Sequence, residues 1–299
     1  MDAVMIMLGV LGLVSLVFTI FFLKDVFAHW GEKAEGVNGG KTNVIVSGII
    51  GLVTNFFDTL GIGSFAPTTA LFKATKNVDD SIIPGTLNVA HALPVVFMSF
   101  LYITTVAVDF VTLITLIAAS TIGAWFGAAI VSKFDKRKIQ IVMGVALLIV
   151  AAIMALRNAG VIAGWGEGND AIGLSGGLLI AGIIAHLILG ALMSAGVGLY
   201  APSMAIVYLL GLSPAVAFPV MMGACAFLMP VGSIKFVREG KYARKQSLAI
   251  TIGGIPGVFI AFQFFRGMWD LGMLIWMVIA VISITGIFML AQAAKAKKA

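Results

Sequence analysis

Seven apolar runs, at residues 3–23, 82–105, 110–132, 139–156, 216–236, 246–265 and 271–292, dominate the chain. Each is close to the roughly 20 residues that a helix needs to cross the ~30 Å hydrocarbon layer of a bilayer. No water reaches backbone N–H and C=O groups at that depth, so runs of this length specify helices that satisfy their own hydrogen bonds. Charged residues make up 11% of the 299, against roughly 25% in soluble domains. The expected fold is an all-α polytopic membrane protein. The first run is read as a span and not a cleaved leader: Met1-Asp2 carry no basic charge, and no small-x-small site follows.

The net charge of +6 does not imply a nucleic-acid partner, because basic residues in a polytopic chain mainly set orientation. The single cysteine, Cys225, excludes an intrachain disulfide and any thiolate cluster. No cofactor or metal site is expected. No GxxxxGK[ST] loop is present either, so ATP is not the direct driver of any transport.

Two further apolar stretches are interrupted. Residues 58–67 read DTLGIGSFAP and residues 196–202 read GVGLYAP. Gly61, Gly63, Ala66 and Pro67 recur 135 positions later as Gly196, Gly198, Ala201 and Pro202, with an aromatic at Phe65 and Tyr200. Pro84 and Pro219 keep that offset, and TIGAWFGAAI (121–130) matches TIGGIPGVFI (251–260). The chain therefore divides into an extra N-terminal span with a polar loop (1–42), a first repeat (43–156), a linker (157–173) and a second repeat with a basic tail (174–299). Each repeat has one broken segment and three plain spans.

Lysine and arginine decide how the repeats face, because they concentrate in cytoplasmic loops. If each broken segment crosses fully, the repeats are parallel, with 12 basic residues inside and 7 outside. If each enters and turns back, the repeats are inverted, and 17 of the 19 fall inside, leaving Arg157 and Arg266 outside. The expectation is two inverted repeats, with 43–73 and 174–211 re-entrant, the N-terminus outside and the C-terminus cytoplasmic. Breaks at membrane depth are tolerated where protein encloses them or water reaches them. Paired broken helices from inverted repeats are the general layout of a secondary-transporter binding site.

The Gly-x-Gly-x-aromatic-x-Pro elements at 61–67 and 196–202, the duplicated four-element halves and the chain length resemble the sulfite exporter TauE/SafE family, over about residues 43–292. The resemblance implies a secondary transporter of the cytoplasmic (inner) membrane, an exporter of small sulfur-containing anions such as sulfite or organosulfonates. The chain departs from the family's fuller glycine run at Ser64 and Phe65, and at Leu199 and Tyr200. It also carries Asp58 where small or apolar residues are usual.

Free amides at half-helix starts hold anions without lysine or arginine. The expected substrate site comprises Gly61, Gly63, Ser64, Phe65, Thr68, Asn88, His91, Gly196, Gly198, Tyr200 and Ser203, with Thr69 alongside; tight packing is the alternative reading of the glycines. The GxxxG pairs at 123–127 and 253–257 are read as helix packing. Asp58, with Asn55, is the expected ion-coupling pair, for a proton or sodium, because a carboxylate at bilayer depth costs at least ~2.5–3.5 kcal/mol. The alternative for Asp58 is a helix cap. Asn88 and His91 are three apart and share a face. His186 is a weaker candidate, and Lys73 and Lys235 are read as snorkelling at helix ends.

Competing functions are a passive anion channel or sensor module, and an intramembrane hydrolase using Ser64 with His91 or His186. The first is opposed by the fixed charge of Asp58, the second by Phe65 where a rhomboid-type site has glycine. The expected partners are a small anion, a proton or sodium and the lipid bilayer, and a homodimer is compatible with this reading.

Overall fold

The computed structural model describes residues 3–31, 43–131, 136–161, 169–194, 198–267 and 271–295. The segment 132–135 in the basic loop, 162–168 in the linker, Gly196 and 296–299 of the tail lie outside the described residues. The described chain forms eleven α-helices: α1 (Ala3–Ala28), α2 (Val44–Thr59), α3 (Phe65–Thr75), α4 (Ile83–Thr105), α5 (Phe110–Val131), α6 (Lys136–Asn158), α7 (Gly176–Ser194), α8 (Tyr200–Leu209), α9 (Ala217–Arg238), α10 (Arg244–Gly267) and α11 (Leu271–Lys295). The seven expected spans appear as α1, α4, α5, α6, α9, α10 and α11. Several run a turn further than their apolar cores, because lysine and arginine are good helix formers at the ends.

Seven described helices are long and apolar enough to cross a membrane: α1, α4, α6, α7, α9, α10 and α11. The chain is a multi-pass membrane protein by this count. It includes α7, the entering arm of the second broken segment, while the apolar stretch of α5 is counted only to Phe126 and falls short. Length alone does not separate a crossing from an entering arm.

Both broken segments come back to where they began. In the first, Asn77, just after α3, accepts from Asn43 N and donates to Asn43 O and Ser47 Oγ at the start of α2. Asn43 is also the N-cap of α2, accepting from Ile45 N and Val46 N. In the second, Asn169 Nδ2 donates to Tyr208 O. Ser213 N donates to Ala171 O, so the chain entering α7 lies beside the chain leaving α8.

The chain packs as two compact units, each drawing on both sequence halves. One comprises 1–101 and 225–265, the other 102–224 and 266–299. In the first unit Ile50, Phe72, Val78, Ile83, Leu87, Ala90 and Ile250 form a core from α2, α3, α4 and α10. A Cβ on Gly51 or Gly253 would enter the backbone of Ile250 or Gly48, so α2 and α10 touch backbone to backbone. The extra helix α1 is fastened here. Asp25 Oδ2 accepts from Arg244 Nε at 2.7 Å and from Tyr242 OH at 2.6 Å. Burial, and then the Asp25 carboxylate, raise Tyr242 well above the usual phenol range, so it stays a donor.

In the second unit α5 packs along α7, and α6 along α11. Cβ atoms on Gly123 and Gly190 would enter the backbone of Leu187 and Ser120. Gly123 and Gly253, aligned in the sequence, thus do the same packing work in different units, as the GxxxG spacing predicts.

Candidate functional site

The first break begins as a helix stop. Gly61 N donates to Asp58 O at 2.8 Å and Ile62 N to Phe57 O at 3.1 Å, the paired bonds of a Schellman cap. That cap needs a left-handed residue after the helix, and Gly61 has φ +93°. Gly63, at φ +91°, has no heavy atom within 4 Å of where a Cβ would stand. It is therefore set by backbone conformation and not by packing.

Asp58 ends α2 inside this turn. It is 1% exposed, and it accepts from both the hydroxyl and the amide of Ser64. Its Oδ2 has no partner. Ser64 stands at the N-cap position of α3 without a side-chain capping bond, because its hydroxyl goes back to Asp58. The capping reading of Asp58 thus holds for the Ser64 amide, and leaves one carboxylate oxygen free.

His91, on α4 and fully buried, backs this turn. Its Nδ1 lies 3.0 Å from Asn55 Oδ1 and its Nε2 3.1 Å from Thr68 Oγ1. Asn55 Nδ2 donates to Gly51 O at 2.7 Å, and the Phe65 ring lies 6.0 Å from the imidazole. Asn88 does not join His91, although they share a helix face: its amide donates to Pro84 O one turn back. Thr69 likewise bonds Phe65 O in its own helix. Lys73 pairs with exposed Asp80 at 3.7 Å, and Lys235 approaches Glu239 at 4.0 Å, as end-of-helix residues do.

At the second break the described chain resumes at Gly198, which is exposed with open space around it. Tyr200 and Ser203 are buried on α8. Ser203 N donates to Leu199 O at 3.0 Å, as Thr68 N does to Ser64 O at 3.0 Å, so the two hydroxyls hold the same place in matching half-helices. His186 on α7 is also buried, with Nε2 3.0 Å from Ser203 Oγ and Nδ1 3.0 Å from Gly182 O.

The His186–Ser203 pair is the contact that residue reading undervalued. Thr68 and Ser203 match at the repeat spacing, but their histidines do not: His91 comes from the helix after the break and His186 from the arm before it. A search for duplicated residues misses such a pair. The usable signal is a histidine on any helix bordering a duplicated hydroxyl.

Helices of membrane-spanning length define a multi-pass membrane protein, and its apolar helices are interrupted at two breaks, each followed by a short helix with a buried hydroxyl in its first turn. The profile of the sulfite exporter TauE/SafE family matches residues 1–154, more than half of the chain, and the protein belongs to that family. The match takes in the first span, which the motif-based resemblance left aside, and stops before the second repeat. No curated protein and no solved structure matches the chain.

Proposed function

We propose that the protein is a secondary active transporter, working as an exporter, of small anions, most simply sulfite or organosulfonates. At each break, substrate is held by the opening amides of the returning helix, α3 or α8, whose first N–H groups have no partner within the helix, and by that helix's own hydroxyl, Thr68 or Ser203. Gly61, Gly63, Ser64 and Phe65 shape the first turn, with Asn88 and His91 bordering it; Gly198 and Tyr200 are the described residues of the second, and Gly196 is assigned to the site from the sequence alone. The observation that carries this reading is the pair of hairpins with matching hydroxyls, each backed by a buried histidine, in a chain of an exporter family.

Ion coupling is assigned to Asp58. A buried carboxylate with one oxygen unpartnered is costly unless a proton or cation completes it. Asn55 acts through His91, since both ends of its amide are taken. A passive channel is less favoured, because a fixed negative charge at the turn repels an anion unless something neutralises it. The hydrolase reading loses its nucleophile, since Ser64 bonds Asp58 and His91 bonds Thr68.

The proposed topology has inverted repeats in the inner membrane, N-terminus outside and C-terminus cytoplasmic. Its support is the 17-to-2 distribution of basic residues and the return of each broken segment to its starting end, which leaves each repeat three crossings. Cysteine labelling on a Cys225→Ala background tests it: positions in 157–173 should react from outside and positions in 133–138 only after permeabilisation. Labelling of both from one side defeats it. For function, purified protein in lipid should be stabilised against heat by sulfite or a sulfonate and not by a matched carboxylate. Vesicles should then move the stabilising anion; stabilisation by no anion at all defeats the transport reading.

A further inference from the structure

Hydrogen-bond polarity at the first break is fixed by Asn55. Its Nδ2 donates to Gly51 O, which orients the amide and presents Oδ1 to His91 Nδ1 as an acceptor. Nδ1 therefore carries the hydrogen, and in the neutral ring Nε2 is left as an acceptor. The Thr68 hydroxyl must donate to it, and its one hydrogen is used there. At the second break Gly182 O takes the place of the Asn55 amide. A carbonyl only accepts, so His186 Nδ1 carries the hydrogen and Ser203 donates to Nε2. Two histidines from non-equivalent helices impose one polarity on two equivalent hydroxyls.

A hydroxyl whose hydrogen points at an imidazole offers an anion only lone pairs. Adding a proton to Nε2 reverses the bond: Nε2–H donates to the hydroxyl oxygen, and the hydroxyl hydrogen is released to an anion beside the first amides of α3 or α8. We propose, building on the anion-transport reading above, that His91 and His186 are proton carriers of the transport cycle, each taking up a proton at Nε2 as the anion binds at its break. The proton comes from the water that delivers the anion and leaves with it, and the imidazolium charge offsets the anion's.

The ionisable surroundings differ at the two breaks. Around His91, the neighbouring elements carry Asp58 on α2, Lys73 at the end of α3, Cys225, Lys235 and Arg238 on α9, Lys241 and Tyr242 in the loop after it, Lys24 and Asp25 near the end of α1, and Arg244, Lys245 and Arg266 at the ends of α10. Asp58 lies within a turn of a His91 partner, three residues from Asn55 on one face of α2. Around His186, α5 has no ionisable residue between Phe110 and Val131, and α8 brings Tyr200 and Tyr208, the latter under Arg157.

The probe is an aliphatic sulfonate, whose own charge is constant between about pH 5 and about pH 8, where histidine titrates. Thermal stabilisation of the lipid-embedded protein gives its apparent affinity, which should fall about tenfold per pH unit for each linked proton. His91→Gln and His186→Gln should each flatten that slope, and the double variant should flatten it further, leaving at most the share carried by Asp58. Thr68→Ser should keep the slope, whereas Thr68→Val should lose affinity. In the unaltered protein, ¹⁵N spectra should show histidine Nε2 passing from acceptor to protonated form when sulfonate is added at constant pH. Binding with an unchanged slope in the double variant, or with unmoved Nε2 resonances, overturns the relay alone. If no anion binds at any pH, the transport reading falls and the relay with it.

Discussion

At the first break the chain stops α2 on a Schellman cap, places Asp58 on the turn and backs Thr68 with a histidine from α4. At the second, the repeat position of Asp58 is Met193, and Ser203 is backed by a histidine from the entering arm itself. The duplicated parts are a Gly-x-Gly pair in the sequence, a proline in the returning helix and a hydroxyl in its first turn. The parts that differ are the carboxylate and the source of the imidazole. A hydrogen bond constrains where two atoms meet and not which helix delivers them, so the histidine–hydroxyl contact recurs where the residue pattern does not. The carboxylate on one side only is the asymmetry on which the proposed coupling at the first break rests.

The largest expected effect strikes both units alike and sets the scale for the rest. Gly253→Ala and Gly190→Ala drive a methyl group into the backbone of Gly48 and Ser120. Rigid backbone yields less than side chains do, so each should cost about 3 kcal/mol, at the upper end of overpacking penalties. Loss of monodisperse protein on size-exclusion, or a steep fall in melting temperature, checks this. Normal behaviour of either variant would mean that the close helix contact is dispensable in that unit.

Next comes the support of the two imidazoles. Asn55→Ala leaves His91 Nδ1 buried without an acceptor, at a cost of about 1–3 kcal/mol. The second break has no such side chain to lose, because Gly182 O is backbone. Unaltered melting of Asn55→Ala would show that His91 finds another partner, and that the two relays are less alike than their distances suggest.

The glycines of the turns separate strain from ligand approach. Gly63→Ala forces a side chain onto φ +91° and should cost about 1–2 kcal/mol. Gly198 has open space around it, so Gly198→Ala should change stability by no more than about 0.5 kcal/mol, as exposed substitutions usually do. Transport by Gly198→Ala is then the informative number: loss with normal melting means that substrate uses the open space, whereas full activity removes Gly198 from the site.

The smallest effect on stability and the sharpest on function belongs to Asp58→Asn. The amide keeps an acceptor for Ser64 while removing a buried charge with an unpartnered oxygen, so melting should be unchanged or slightly raised. In vesicles the variant should bind anion yet lose the ion or pH dependence of transport contributed by the first break. If its transport follows the parent at every pH and in sodium-free buffer, the carboxylate only caps the turn and the asymmetry between the breaks carries no coupling.

Seven helices, the two breaks and their glycine-proline composition were legible in the sequence because each is a local demand. A run of apolar residues has to satisfy its own backbone in lipid, and a stopped helix needs glycine where φ is positive. The tight pairing of Gly123 and Gly253 with other helices was legible too, since small residues four apart serve close packing. Contacts between residues far apart in the chain were not. That Asn77 closes the first hairpin on Asn43, that α10 packs on α2 while α5 packs on α7, and that Asn88 turns away from His91 while Thr68 meets it are all decided by how helices lie against one another. Crossing and packing are set by the summed fit of many side chains and not by any short pattern. Local chemistry therefore determined which elements form and where they break, and the tertiary structure alone decided which buried polar atoms became partners and which, like Asp58 Oδ2, was left with none.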